Sequence, residues 1–186
     1  MRHGDRRRSV LLFCFRFLVY ATVCLAGLWW LILPHYAWGL GQCAGGILKY
    51  TMGKPIESLE VQAGGTLNTE TLLVFYTPGK KHPIAVAALA TNLATYAALV
   101  LATSGLVLGR RMKVLGLGLL ILLITHVLYI VLAFYFAAYI ANASEIPMAL
   151  AEFFIMVPFL LWIALAYWPQ LGAAIARGQK DQPSGA

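Results

Sequence analysis

The sequence predicts an all-α membrane protein: a four-transmembrane-helix bundle with a small extracytoplasmic β-hairpin. Three observations predict it. Of 186 residues, 61% are hydrophobic and only 11% charged, and mean hydropathy is +0.77, whereas soluble domains run near half apolar and a quarter charged. Four apolar runs, 15–33, 84–108, 114–140 and 146–168, take up about half the chain, and each has close to or more than the roughly 20 residues that cross the hydrocarbon. The bases also sort by side. Arg2, Arg6, Arg7, Arg8, Arg110, Arg111, Lys113, Arg177 and Lys180 flank one side of the runs, and Lys49, Lys54, Lys80 and Lys81 the other. A water-soluble enzyme is not expected.

The positive-inside rule turns that asymmetry into a topology with both termini cytoplasmic. Glu57, Glu60, Glu70 and Glu145 cancel the outer lysines, and only Asp5 and Asp181 offset the inner bases, so the formal charge of +7 is cytoplasmic. A pI near 9.5 is then explained by bases that orient insertion and meet anionic headgroups. The lipid bilayer is the expected partner, and nucleic acid is not.

Residues 1–14 form a basic cytoplasmic N-terminus and 15–33 the first span. MRHGDRRR followed by an apolar run resembles a signal peptide, but the run is long and no A-x-A-like site follows before Trp29, Trp30 and Pro34, so an uncleaved anchor is expected. Arg16, at its inner end, can snorkel to the headgroups. Residues 34–83 are a periplasmic segment. Within it 39–52 mixes glycine with apolar residues after Trp38, the pattern of a short interfacial helix. Beyond Pro55, Leu59, Val61 and Ala63 alternate with Ser58, Glu60 and Gln62, then Gly64-Gly65 precedes TLNTETLLVFYT. Two such runs joined by Gly-Gly predict a β-hairpin. An isolated hairpin is marginal in water, so it is expected to pack on the bundle as a cap, or on a partner, or to add an extended peptide to its edge.

The second span is 84–108, a basic cytoplasmic turn occupies 109–113, the third span is 114–140, a periplasmic loop 141–145, the fourth span 146–168, and a disordered cytoplasmic tail 169–186. Asn142-Ala-Ser144 matches a glycosylation sequon, taken as chance so close to the membrane. Gly105-x-x-x-Gly109, with Gly116 and Gly118, reads as close helix packing beside the turn. Cys14, Cys24 and Cys43 offer no paired framework and no zinc spacing. Cys43 is expected to be an inert, partly buried thiol. No metal or cofactor is expected.

Polar groups inside the spans are the candidate site. Asn92, Thr95 and Tyr96 share one helix face, and so do His126 and Tyr129, while the fourth span carries Glu152 and Pro158. A rise of 1.5 Å per residue puts Glu152 roughly 9 Å, Asn92 12 Å, Tyr129 16 Å and His126 21 Å below the outer ends, so Asn92, Tyr96, His126, Tyr129 and Glu152 are candidates to line one cleft contacting a peptide or a lipid. Cross-helix bonding that merely holds the bundle together is the competing reading. Templates for soluble-type hydrolases and P-loops are absent, as are an intramembrane aspartate pair and an inverted repeat.

The stretch PIAVAALATNLATYAALVLATSGLVLGRRMKVLGLGLLILLITHVLYI resembles the core of the exosortase/archaeosortase family, membrane-embedded cysteine transpeptidases that process C-terminal sorting signals. The likeness covers about 83–168. Its basic turn is Arg110-Arg111-Met112-Lys113, and its signature position reads His126-Val127-Leu128-Tyr129-Ile130. Thr91-Asn92 stand where the family's nucleophilic Cys is expected and Tyr129 where its Arg is, and no His opens the fourth span. An amide does not replace a thiolate, nor a phenol a fixed positive charge. The resemblance therefore implies a catalytically degenerate relative, a non-enzymatic accessory that binds a sorting signal, a lipid or the active exosortase-like enzyme. Two alternatives stay open: an enzyme using Thr91 or a His126/Glu152 acid–base pair, and a plain membrane scaffold.

Overall fold

The structure, a computed structural model, describes residues 3–27, 31–66, 70–136 and 145–168, with side chains for 8–27, 31–66, 70–136 and 153–168. It is mostly helical, with one small sheet. Helix α1 (His3–Gly27) packs along α3 (Ala87–Ala102), and α3 also meets α4 (Leu108–Tyr135) and α5 (Glu145–Trp162). Surrounded on three sides, α3 is buried at Leu89, Ala90, Asn92, Ala94, Tyr96, Ala98, Leu99, Val100 and Ala102. Its alanines let the neighbouring helices approach closely.

Two helices are long and apolar enough to cross a membrane, Arg8–Gly27 within α1 and Leu108–Tyr135; Ala87–Ala102 and Phe153–Tyr167 are apolar but shorter. The helix expected over 84–108 is thus cut at both ends. Ile84 and Ala85 belong to a strand, and the helix stops at Ala102 because Thr103 is extended (φ −65°, ψ 118°) and Gly105 turns left-handed at φ 82°. Apolarity alone hides such turn chemistry. Residues 109–113, read as a turn, are the first turns of α4. Gly105 and Gly109 therefore do not form a helix-packing face, since Gly105 lies in the turn and nothing lies near a Cβ placed on Gly109.

The segment between α1 and α3 holds more than a lone hairpin. Helix α2 (Leu33–Gly46) starts well before the expected interfacial stretch, with Pro34 in its first turn, where proline's missing N–H costs nothing. Leu33, Ala37, Leu40, Gly41 and Ala44 are buried at helical spacing, and a π-helical turn (Ile47–Thr51) follows. Strands β1 (Ser58–Gln62), β2 (Leu72–Thr77) and β3 (Lys80–Ala85) make an antiparallel meander in that order. Its register sets Ser58 opposite Tyr76 and Gln62 opposite Leu72, then Thr77 opposite Lys80 and Leu72 opposite Ala85.

The expected two-stranded hairpin is corrected to three strands, and the tight turn is elsewhere. Pro78-Gly79, with Gly79 at φ 73°, joins β2 to β3, whereas Gly64-Gly65 open a longer loop closed by Glu70 N–H donating to the Gly64 carbonyl at 3.0 Å. Pro83 and two lysines mask β3 as a strand in the sequence, and an edge strand is where such residues are tolerated. The sheet seats on the end of α4: Phe75 and Phe134 meet edge to face with centroids 5.7 Å apart, and the His82 ring lies 4.7 Å from Phe134.

Two apolar clusters result. One joins α2, the sheet, Val86, Leu89, Ile130 and Phe134; the other gathers Tyr96, Val100, Leu106, Val114, Leu122 and Val157. Helix α4 serves both through a ladder of buried residues at every fourth position, Val114, Gly118, Leu122, His126, Ile130 and Phe134.

Candidate functional site

Asn92 and His126 are the polar residues where the two clusters meet. Along α3, Asn92 falls between Leu89 of one and Leu93 of the other; along α4, His126 falls between Leu122 and Ile130. His126 is fully buried and shares a 2.7 Å hydrogen bond between its Nδ1 and the Tyr36 hydroxyl of α2. Its Nε2 is buried without a partner among the described residues. Tyr36 has no signal in the sequence, because it lies in a stretch assigned only to the periplasmic segment and its partner is 90 positions away.

Of the five expected cleft residues, the four whose side chains are described do not face one point. Asn92 Nδ2 donates to the Phe154 carbonyl of α5 at 2.9 Å, and the Tyr129 ring stands edge-on to the Phe154 ring at 4.7 Å, so these two converge on Phe154. Tyr96 instead donates to the Val114 carbonyl of α4 at 2.7 Å. A Cβ on Gly118 would overlap the Tyr96 phenol, so Gly118 is glycine to let that ring lie against the helix. His126 turns toward Tyr36. Glu152 lies outside the residues whose side chains are described. Thr91 and Thr95 bond back to the carbonyls of Ala87 and Thr91 at 3.1 and 3.0 Å, the usual resting place of a hydroxyl in an apolar helix.

A second cluster, at the far end of the same helices, escaped the sequence reading. Thr103 Oγ1 donates to the Leu99 carbonyl at 2.7 Å and accepts from Trp162 Nε1 at 2.8 Å, and the Thr103 carbonyl accepts from Arg111 Nη2 at 3.0 Å. Arg16 Nη1 donates to Ser104 Oγ at 3.4 Å, and Phe13 stacks on Trp162 at 5.8 Å.

On the sheet side an open groove of about 310 Å³ runs between α2 and β1, lined by Gly41, Gln42, Gly45, Lys49, Glu57 and Ser58 among others. Its floor is bare because Gly41 has no room for a side chain beside Leu59 and Leu73. Cys43, expected to be partly buried, is exposed on α2. Across the sheet's solvent face Tyr76 donates to Glu60 Oε2 at 2.6 Å. That bond, helped by Gln62 and the charge of Lys81, holds the Glu60 carboxyl below its ordinary range, and the same bond pushes the Tyr76 phenol up.

Among the described residues no group of three or more His, Cys, Asp or Glu side chains is placed to hold a metal ion. Comparison with protein-family models, with curated proteins and with solved structures gives no match.

Proposed function

We propose that this chain is a non-catalytic accessory of an exosortase-like protein-sorting system, spanning the inner membrane of a bacterium four times with both termini cytoplasmic. Its periplasmic sheet receives an extended peptide of the sorting-signal kind. Support for the spans comes from the two long apolar helices and the two shorter ones packed on them, with the sided charge of the sequence giving orientation. Support for the sorting role is the resemblance over 83–168.

The observation that carries the reading is the difference between the sheet's two edges. β3 presents Lys80, Lys81 and Pro83, residues that discourage a further strand. β1 (SLEVQ) has neither lysine nor proline, and it borders the groove. A strand added there gains main-chain hydrogen bonds, and the groove receives alternate side chains. Chemistry is disfavoured because the groups at the family's reactive positions are engaged: Asn92 by the Phe154 carbonyl, Thr91 by its own helix and Tyr129 against the Phe154 ring.

The test uses the full chain in membranes with a photo-reactive residue at Ser58 or, as control, at Lys81. A synthetic C-terminal sorting-signal peptide is expected to be captured at 58, not at 81, and to remain uncut. Cleavage by the purified protein overturns the non-catalytic reading; equal capture at both edges overturns the β1 site.

A further inference from the structure

Two guanidinium groups converge on one turn. Arg16 from α1 and Arg111 from α4 bond to adjacent residues of the α3–α4 connection, Ser104 and Thr103. Both acceptors are neutral. The acidic side chains the structure describes are Glu57, Glu60 and Glu70, and all three belong to the outer segment. Arg110 and Lys113 add two exposed bases on the first turns of α4. Arg111 Nε is buried without a partner among the described residues, so this fork is only partly used. Like charges brought together in a medium of low dielectric repel, and an anion between them removes that cost. Guanidinium forks fit phosphate oxygens in particular. The aromatic rings of Phe13, Trp162 and Tyr167 stand beside the turn, the residue types that settle at a membrane–water boundary.

We propose that Arg16, Ser104 and Arg111 form a binding site for the phosphate of an anionic lipid headgroup in the inner leaflet, with Arg110 and Lys113 at its rim. The site rests on the membrane placement above and is independent of the sorting role. The headgroup phosphate lies between the two guanidinium groups, accepts from both, and takes a further donor from the Ser104 hydroxyl. Ser104, Gly105 and Val107 are exposed on this turn, which leaves the approach open.

The test is thermal stability of the full chain in a neutral detergent, titrated with short-chain phosphatidylglycerol, with phosphatidylcholine, and with inorganic phosphate. Phosphatidylglycerol is expected to raise the melting temperature and phosphatidylcholine to leave it unchanged. Arg16→Gln is expected to weaken the phosphatidylglycerol response roughly fivefold, the worth of one base at an anionic surface. Because Arg16 is exposed, that variant keeps its packing; Arg111→Lys, which retains the charge and loses the fork, is the second variant and is expected to weaken the response as well. An equal response to inorganic phosphate overturns the lipid assignment. An equal loss in Lys80→Gln/Lys81→Gln, which removes charge from the outer sheet, overturns the site in favour of overall charge. Extraction of the chain from membranes by carbonate would refute the membrane placement itself, separately from any lipid selectivity.

Discussion

Substituting Gly118 by alanine adds one methyl group where the Tyr96 ring already lies. Tyr96 is fully buried and tied to the Val114 carbonyl at 2.7 Å, so moving the ring aside disturbs its packing and strains that bond. Overpacking of this kind costs about 1–3 kcal/mol, and displacing the phenol forfeits a hydrogen bond worth about 0.6 kcal/mol on average inside a membrane and up to ~1.7. Alanine returns up to ~1 kcal/mol of helix propensity. The expected net loss is about 2 kcal/mol, measured by unfolding in mixed micelles followed by far-UV circular dichroism. Tyr96→Phe separates the terms, since it keeps the ring and is expected to cost no more than the hydrogen bond. In a Tyr96→Ala background the methyl no longer meets the ring, and Gly118→Ala is expected to turn stabilising by up to ~1 kcal/mol, the helix-propensity gain alone. If Gly118→Ala costs the same in both backgrounds to within about 0.5 kcal/mol, the contact does not explain the glycine.

Thr103→Val removes the acceptor of the Trp162 indole N–H and is expected to destabilise by about 1–3 kcal/mol with a change in tryptophan emission, whereas Thr103→Ser retains both; equal stability of the two variants refutes the hub. Phe134→Ala withdraws the ring that seats Phe75 and His82, a loss of about 3–5 kcal/mol, and amide exchange in β2 is expected to quicken while α3 stays protected; uniform quickening would contradict a separately docked sheet. Glu60→Gln is expected to return the Tyr76 phenol downward toward its ordinary 10.0, read as phenolate absorbance against Tyr76→Phe. In the native chain the Glu60 contribution is complete above the ordinary carboxylate range and is lost as the pH falls through its lowered value. The Tyr76 contribution is complete below its ordinary value and is lost as the pH rises through its raised one. An unshifted Tyr76 titration in Glu60→Gln shows that the bond is absent in solution.

How much was legible follows from the range of each signal. Helix α4 announces itself because 114–140 is an almost unbroken apolar run long enough to cross a bilayer, a local signal that needs no partner to be seen. β3 was illegible because Lys80, Lys81 and Pro83 obey edge-strand logic, which becomes visible only once β2 stands beside them. Asn92 and His126 were recognisable as polar intruders in apolar helices, but their partners, Phe154 and Tyr36, are fixed by tertiary geometry. The depth of about 12 Å for Asn92 counts a helix from residue 84, and the strand that runs to Ala85 moves the start of α3 to Ala87. The convergence of Arg16 and Arg111 had the same obstacle: each is an ordinary span-end base until two distant segments are folded together.

The histidine in the α4 ladder has a mechanical corollary. Sliding by one rung, about 6 Å along the axis, would bring Leu122 or Ile130 to the place of His126, and a side chain to the place where Gly118 leaves room for the Tyr96 ring. Tyr36 forbids it. After such a slip its hydroxyl faces Leu122 or Ile130 with no acceptor, so the buried imidazole fixes α4 against α2 and, through α2, aligns the sheet with the helices.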